Sequence, residues 1–174
     1  LNGDNQPVVS VSQLDASAFA SWLTEREREA NRLTNALTYR LPTVEEWAAF
    51  ARCGTNRKFP WGDEWPPKYG NCFDETCGGK DALEGYRDGH VSTCAVTDTV
   101  ANEWGINGMA GNVSEWVVDE NHPDRSYSTS GCYAVSWAGC FVIRTKATGN
   151  GYASSASDKN HGFRLVLAPA REAK

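Results

Sequence analysis

The run from Trp104 to Trp116 (WGINGMAGNVSEW) constrains this chain more than any other segment. Two tryptophans bracket four turn-forming positions, Gly105, Gly108, Gly111 and Asn112, and one carboxylate, Glu115. The pattern has neither helical nor alternating-strand periodicity. Glycines allow positive φ and close backbone approach, so the run reads as an irregular loop of one fixed geometry. The tryptophans are expected to fasten it to a core. Loops built this way surround a ligand or a metal.

A loop of that kind needs a folded body around it, and the chain can supply one. Its 174 residues, 40% hydrophobic with seven Trp, are read as a single domain spanning 1–174 with a real core and no disordered character. A net charge of -5 and a pI near 5.2 exclude a general nucleic-acid surface and argue against binding to an anionic membrane. No apolar run reaches the length of a membrane span, and no signal peptide is visible. The first residue is Leu1, which reads as a processed form or an excised domain. Six cysteines, Cys53, Cys72, Cys77, Cys94, Cys132 and Cys140, lack the paired spacing of a zinc site. Cys72 with Cys77, and Cys132 with Cys140, could close short loops, or all six could be thiols.

Two early helices are expected. Ser12 and Asp15 form a capping pair, and Leu14, Ala18, Phe19, Trp22 and Leu23 then share one face at helical spacing, read as the buried face. The charged stretch Glu25 to Glu29 carries this helix into solvent. A second helix starts at Thr43, capped with Glu46, buries Trp47, Phe50 and Ala51, and ends near Cys53. From Lys58 to about Arg125 the chain is rich in Gly, Pro, Asn, Asp and Trp, an ordered layer of long loops. Strand signals return at 140–143 and 163–167, with an exposed polar loop at 149–160 between them. The class is α+β, with two early helices, short antiparallel strands and long ordered loops.

Several segments in register resemble the formylglycine-generating-enzyme/sulfatase-modifying-factor family. They are Arg40 to Trp47 (RLPTVEEW), Phe59 to Asp63 (FPWGD), Asn102 to Ile106 (NEWGI), Met109 to Trp116 (MAGNVSEW) and Gly162 to Arg164 (GFR). The resemblance implies a C-type-lectin-like fold, with the family's usual N-terminal portion absent. It also implies specific chemistry at two places. The family's oxidases convert a substrate cysteine to formylglycine with two copper(I)-binding cysteines five residues apart. Alignment on Tyr133 places Cys140 on the second cysteine, Val135 on the first and Arg144 on a signature arginine. One thiolate cannot supply the two-coordinate site that copper(I) favours, and Cys132 lies eight residues from Cys140, so the reading leans away from copper and catalysis, with a copper-dependent formylglycine-generating oxidase acting on a substrate cysteine kept as the alternative. His90, His122 and His161 are scattered, and no other catalytic set is apparent.

The segment from Tyr133 to His161 resembles instead the variable region of diversity-generating-retroelement variable proteins. Tyr133, Val135, Trp137, Arg144, Lys146, Asn150, Tyr152, Ser155, Asp158 and Asn160 are the candidate ligand-binding residues. Rigid aromatic contact area mixed with adaptable polar groups is the composition of a paratope. The expected partner is a protein or small-molecule ligand, with a cell surface as one setting. The resemblance points to a prokaryotic or phage protein at a cell surface or in the cytoplasm. An accessory domain of a larger signalling protein, such as a kinase, is a further alternative.

The resemblance also implies a calcium site. The Asn71 side chain, Cys72 carbonyl, Asp88 side chain and His90 carbonyl match its oxygen ligands, with Glu75 to Leu83 inserted between them. A second family site would use the Gly111 and Val113 carbonyls and Glu115. Gly108 stands where its side-chain ligand belongs, so Glu115 is expected to bond loop amides.

Overall fold

The computed structural model describes residues 3–80, 82–122, 127–129, 157 and 159–170. Helix α1 spans Gln13–Glu29 and helix α2 Val44–Arg52. Five short strands follow the chain: β1 Leu37–Arg40, β2 Ser114–Val117, β3 Tyr127–Thr129, β4 His161–Gly162 and β5 Val166–Pro169. Antiparallel β1 and β5 form a two-stranded sheet, with Leu37 opposite Pro169. In the other sheet β2 is central, antiparallel to β3 and parallel to β4, so the strands are not all antiparallel as expected.

Both helices begin where the sequence places them. Ser12 and Thr43 accept from the amides of Asp15 and Glu46, whose carboxylates reach back to the cap amides. Each reciprocal pair satisfies two backbone donors that a helix start otherwise leaves open. Helix α2 ends at Cys53 in the left-handed conformation and buries Val44, Trp47, Ala48 and Ala51; Phe50 is half-buried.

The expected face of α1 is overturned. Ala16, Ala20 and Thr24 are buried, whereas Leu14, Ala18, Phe19 and Trp22 face solvent and Leu23 is half-buried. The cause is how closely the helix lies on β1. Thr24 Oγ1 accepts from Tyr39 N at 2.9 Å, and Arg28 donates to Leu37 O at 2.8 Å. Such bonds draw the helix backbone close to the strand, and only small side chains fit at that separation.

The core lies on both sides of β2, which is buried along its whole length. Val117 joins Val44, Trp47, Ala51, Met109 and Tyr127 on one side. Trp116 joins Ala16 and Leu41 on the other, with Phe163 and Leu165 packed against them. Truncating a side chain as buried as Trp116 costs about 3–5 kcal/mol. The end of the opening run is therefore a strand, contrary to the sequence reading. Its other end also departs from expectation: Trp104 is 52% exposed and covers Gly54 instead of entering the core.

The rest of the run is loop, held by two asparagines. Asn102 Oδ1 accepts from the amides of Trp104 and Ile106, and its Nδ2 donates to Phe50 O. Asn112, at φ 75, accepts from Cys94 N and Asn71 Nδ2 and donates to the carbonyls of Cys94 and Asn71. Gly111, at φ 114, lies so close to Asn71 that a β-carbon would overlap its carbonyl oxygen. Buried backbone polar groups in a loop layer need such partners, because water does not reach them.

Candidate functional site

Glu115 is a buried carboxylate whose partners come from two distant parts of the chain. It sits on β2 at 6% exposure. Arg164, just after β4, donates to both of its oxygens at 2.6 Å, and Trp47 Nε1 from α2 donates to Oε2 at 2.6 Å. Arg164 also reaches Asn107 O at 3.1 Å. Burial works against the Arg164 charge, but Glu115 outweighs it and holds the guanidinium above its ordinary pKa. The expectation that Glu115 bonds loop amides is corrected: its partners are a guanidinium and an indole. Sequence reasoning missed this triad, although its signal was present. A lone carboxylate in an apolar strand requires a cation, and Arg164 is the arginine of a matched motif.

A cleft of 570 Å³ opens beside the triad, lined by Gln6, Val8, Val96, Ile106, Phe163 and Arg164 among others. Glu115 and Arg164 neutralise each other on its wall, so neither is placed as a general acid or base. On the far side of β2, the His161 ring stacks on Trp116 at 4.8 Å and shares a 3.0 Å hydrogen bond with Ser128. His161 is thus a packing residue that ties β4 to β3.

The four candidate calcium residues lie in neighbouring loops. Asn71 Oδ1 is buried and has no hydrogen-bond partner among the described residues, as an open cation ligand would be. The Asp88 carboxylate accepts from Cys72 N at 2.7 Å and His90 N at 2.8 Å, and its own amide donates to Asp74. Burial raises the Asp88 pKa against the pull of those two amides. The inserted segment adds a group the resemblance does not contain. Cys77 Sγ stands 3.7 Å from Cys72 O and 3.5 Å from His90 O, the two backbone oxygens assigned to the metal. In this geometry the carbonyl pair serves a thiol, and a cation would have to displace it. Burial also raises the Cys77 pKa, keeping the sulfur protonated and able to donate. Cys72 Sγ points to Ala110 O, so the short Cys72–Cys77 bridge is not formed. Among the described residues no group of three or more His, Cys, Asp or Glu side chains could hold a metal.

Of the candidate ligand-binding residues, Asn160 alone is described. It is half-buried, and its carbonyl accepts from Ser114 N at 2.8 Å, which ties it to β2. Tyr133, Val135, Trp137, Arg144, Lys146, Asn150, Tyr152, Ser155 and Asp158 lie outside the described residues, as do Cys132 and Cys140. A second feature not foreseen from sequence lies at the end of α2. Arg57 donates to Glu103 at 2.7 Å and to Cys53 Sγ at 2.9 Å, Cys53 Sγ in turn donates to Glu103 at 3.1 Å, and the Arg57 and Cys53 bonds to the carboxylate take its pKa down to about 2. Among the described residues no helix is long and apolar enough to cross a membrane.

The Sulfatase-modifying factor enzyme 1-like domain matches residues 2–169. The formylglycine-generating enzyme of Thermomonospora curvata is 34% identical over 116 residues, covering 66% of this chain and 34% of that protein. The inactive C-alpha-formylglycine-generating enzyme 2 of Bos taurus is 31% identical over 116 residues, covering 66% of this chain and 33% of that protein. The chain thus spans about a third of the length of these relatives. Treponema denticola variable protein 1 shares the fold at a TM-score of 0.68 and 19% identity, over 92% of this chain and 70% of that one. The Trp47–Glu115–Arg164 triad joins three of the motifs read from the sequence, and with the match over 2–169 it shows that this chain belongs to the formylglycine-generating-enzyme/sulfatase-modifying-factor family, with its C-type-lectin-like fold.

Proposed function

We propose that this domain binds a ligand without catalysis and that its binding face is carried by residues 133–160. One observation supports this most. The chain leaves the second sheet at β3 and rejoins it at β4, and both strands lie against the same buried strand, β2. A segment of some thirty residues thus has both its ends held on a fully buried strand. The Glu115 triad locks one side of that strand and the His161–Trp116 stack the other. Binding residues carried between two fixed points of a frame can vary without cost to the fold. The fold shared with a variable protein, and Val135 at the first oxidase cysteine, point the same way.

The test is to randomise 133, 135, 137, 144, 146, 150, 152, 155 and 158 together and display the library. The expected result is that most variants melt within a few degrees of the parent and that some capture a chosen protein target, such as a lysozyme. Widespread loss of folding would refute the reading. Identity to formylglycine-generating enzymes favours a second reading, a copper-dependent oxidase acting on a substrate cysteine. Stoichiometric copper(I) held by Cys132 and Cys140, with oxidation of a cysteine peptide, would establish it.

A further inference from the structure

Helix α1 exposes an apolar stripe, of which the fold covers only one edge, where Phe19 meets Phe163 with ring centroids 5.7 Å apart. Phe19 is 44% exposed and Trp22 49%, with ring centroids 5.4 Å apart, and Arg26 lies 5.2 Å above the Trp22 ring. Asp15, Phe19, Trp22 and Arg26 recur at spacings of four, three and four, so they form one seam along the helix. Scattered single apolar residues are normal on a surface, but adjacent aromatic rings on one helix face mark a contact site.

The order of groups in the seam identifies the occupant. Reversed end to end about a point between Ala20 and Ser21, the seam becomes its own complement: Asp15 falls opposite Arg26, and Phe19 opposite Trp22. An antiparallel pair of α1 helices therefore stacks four aromatic rings at its centre and closes two Asp–Arg pairs at its ends. A parallel pair would set Asp15 against Asp15 and Arg26 against Arg26, with the helix dipoles aligned as well. We infer that this face docks a second copy of the chain, forming a two-fold symmetric dimer through antiparallel α1 helices.

Self-complementarity of this kind is what an isologous interface requires. The Asp15 cap bonds fall on Oδ2 and lie at the helix start, so capping and pairing are compatible. The contact is small beside a standard interface, so the dimer is expected to be weak and reversible. Helix α1 also contacts β2, and Phe19 lies 5.7 Å from Phe163 just after β4, so the test reads the oligomeric state alone and does not use ligand capture.

Sedimentation of the full chain from about 5 to about 500 μM should show a reversible monomer–dimer equilibrium. Phe19→Ser with Trp22→Ser should be monomeric throughout with an unchanged circular dichroism spectrum. Arg26→Asp, which leaves the cap intact, places two like-charge pairs in the dimer and should weaken it about tenfold or more. Asp15→Arg alone should do the same. An equimolar mixture of these two single variants should form a heterodimer at least as tight as the parent homodimer, because every end pair is then opposite in charge. A monomeric parent at the highest concentration, or a mixture that associates no better than its components, overturns the proposal.

Discussion

Replacing Glu115 by Gln keeps the shape of the side chain and removes its charge. Arg164 would then face a neutral amide from a position where its side chain is only 21% exposed. Each of the three 2.6 Å bonds to Glu115 is charge-assisted or donated to a charged acceptor. Breaking a buried pair by neutralising one partner costs about 3–5 kcal/mol, mostly from the stranded charge. The residual exposure of Arg164 sets the expectation at the lower end, about 3 kcal/mol. In a domain of this size that lowers the melting temperature by about 6–12 °C. The exposed Arg87–Glu75 pair, with side-chain exposures of 73% and 32%, is the internal control: Glu75→Gln should leave the unfolding midpoint nearly unchanged. Urea unfolding followed by tryptophan fluorescence and circular dichroism measures both. Glu115→Leu combined with Arg164→Met should cost much less than the sum of the two single changes, because no charge is left uncompensated. A Glu115→Gln loss below about 1 kcal/mol, or an additive cycle, would show that the triad does not hold the scaffold.

Two further predictions follow from the loops. With Cys77 against the Cys72 and His90 carbonyls, the melting temperature of the parent should be the same in calcium and in chelator. Cys77→Gly should create a calcium response of several degrees, since a cation at about a hundred times its dissociation constant adds about 2.7 kcal/mol; an unresponsive variant alongside a calcium-dependent parent would refute the thiol's role. At acid pH, the Glu103 carboxyl lies at about 2 against 4.5 unfolded, so its contribution is present above 4.5 and is lost as pH falls toward 2. Glu103→Gln should therefore flatten the loss of stability over that window, and an unchanged slope would sink the assignment.

Both helix starts, the end of α2 at Cys53 and the order of the matched motifs were legible in the sequence, because caps and turn residues act over three or four positions. The buried face of α1 was not. Its two faces compete, one aromatic and one of Ala16, Ala20 and Thr24, and the choice depends on how closely β1 approaches. The partners of Glu115 were hidden for a similar reason. Trp47 lies 68 positions away and Arg164 49, and no local pattern pairs them. Periodicity likewise could not show that the chain straightens into a strand at Ser114, because a strand buried on both faces has no alternation.

The matched motifs carry one more consequence. Arg40 clamps Glu46 and the α2 cap, Asn102 and Asn112 hold the loops, Gly162 passes so close to Val8 that a β-carbon would overlap its carbonyl, and Trp47, Glu115 and Arg164 bind one another. Each of these residues touches other parts of the frame. An enzyme and a protein described as inactive match this chain almost equally, at 34% and 31%, so overall identity does not separate a catalytic from a non-catalytic reading. Between β3 and β4 the chain has Val135 where the oxidase reading needs a cysteine, and that substitution is what the proposed non-catalytic role rests on.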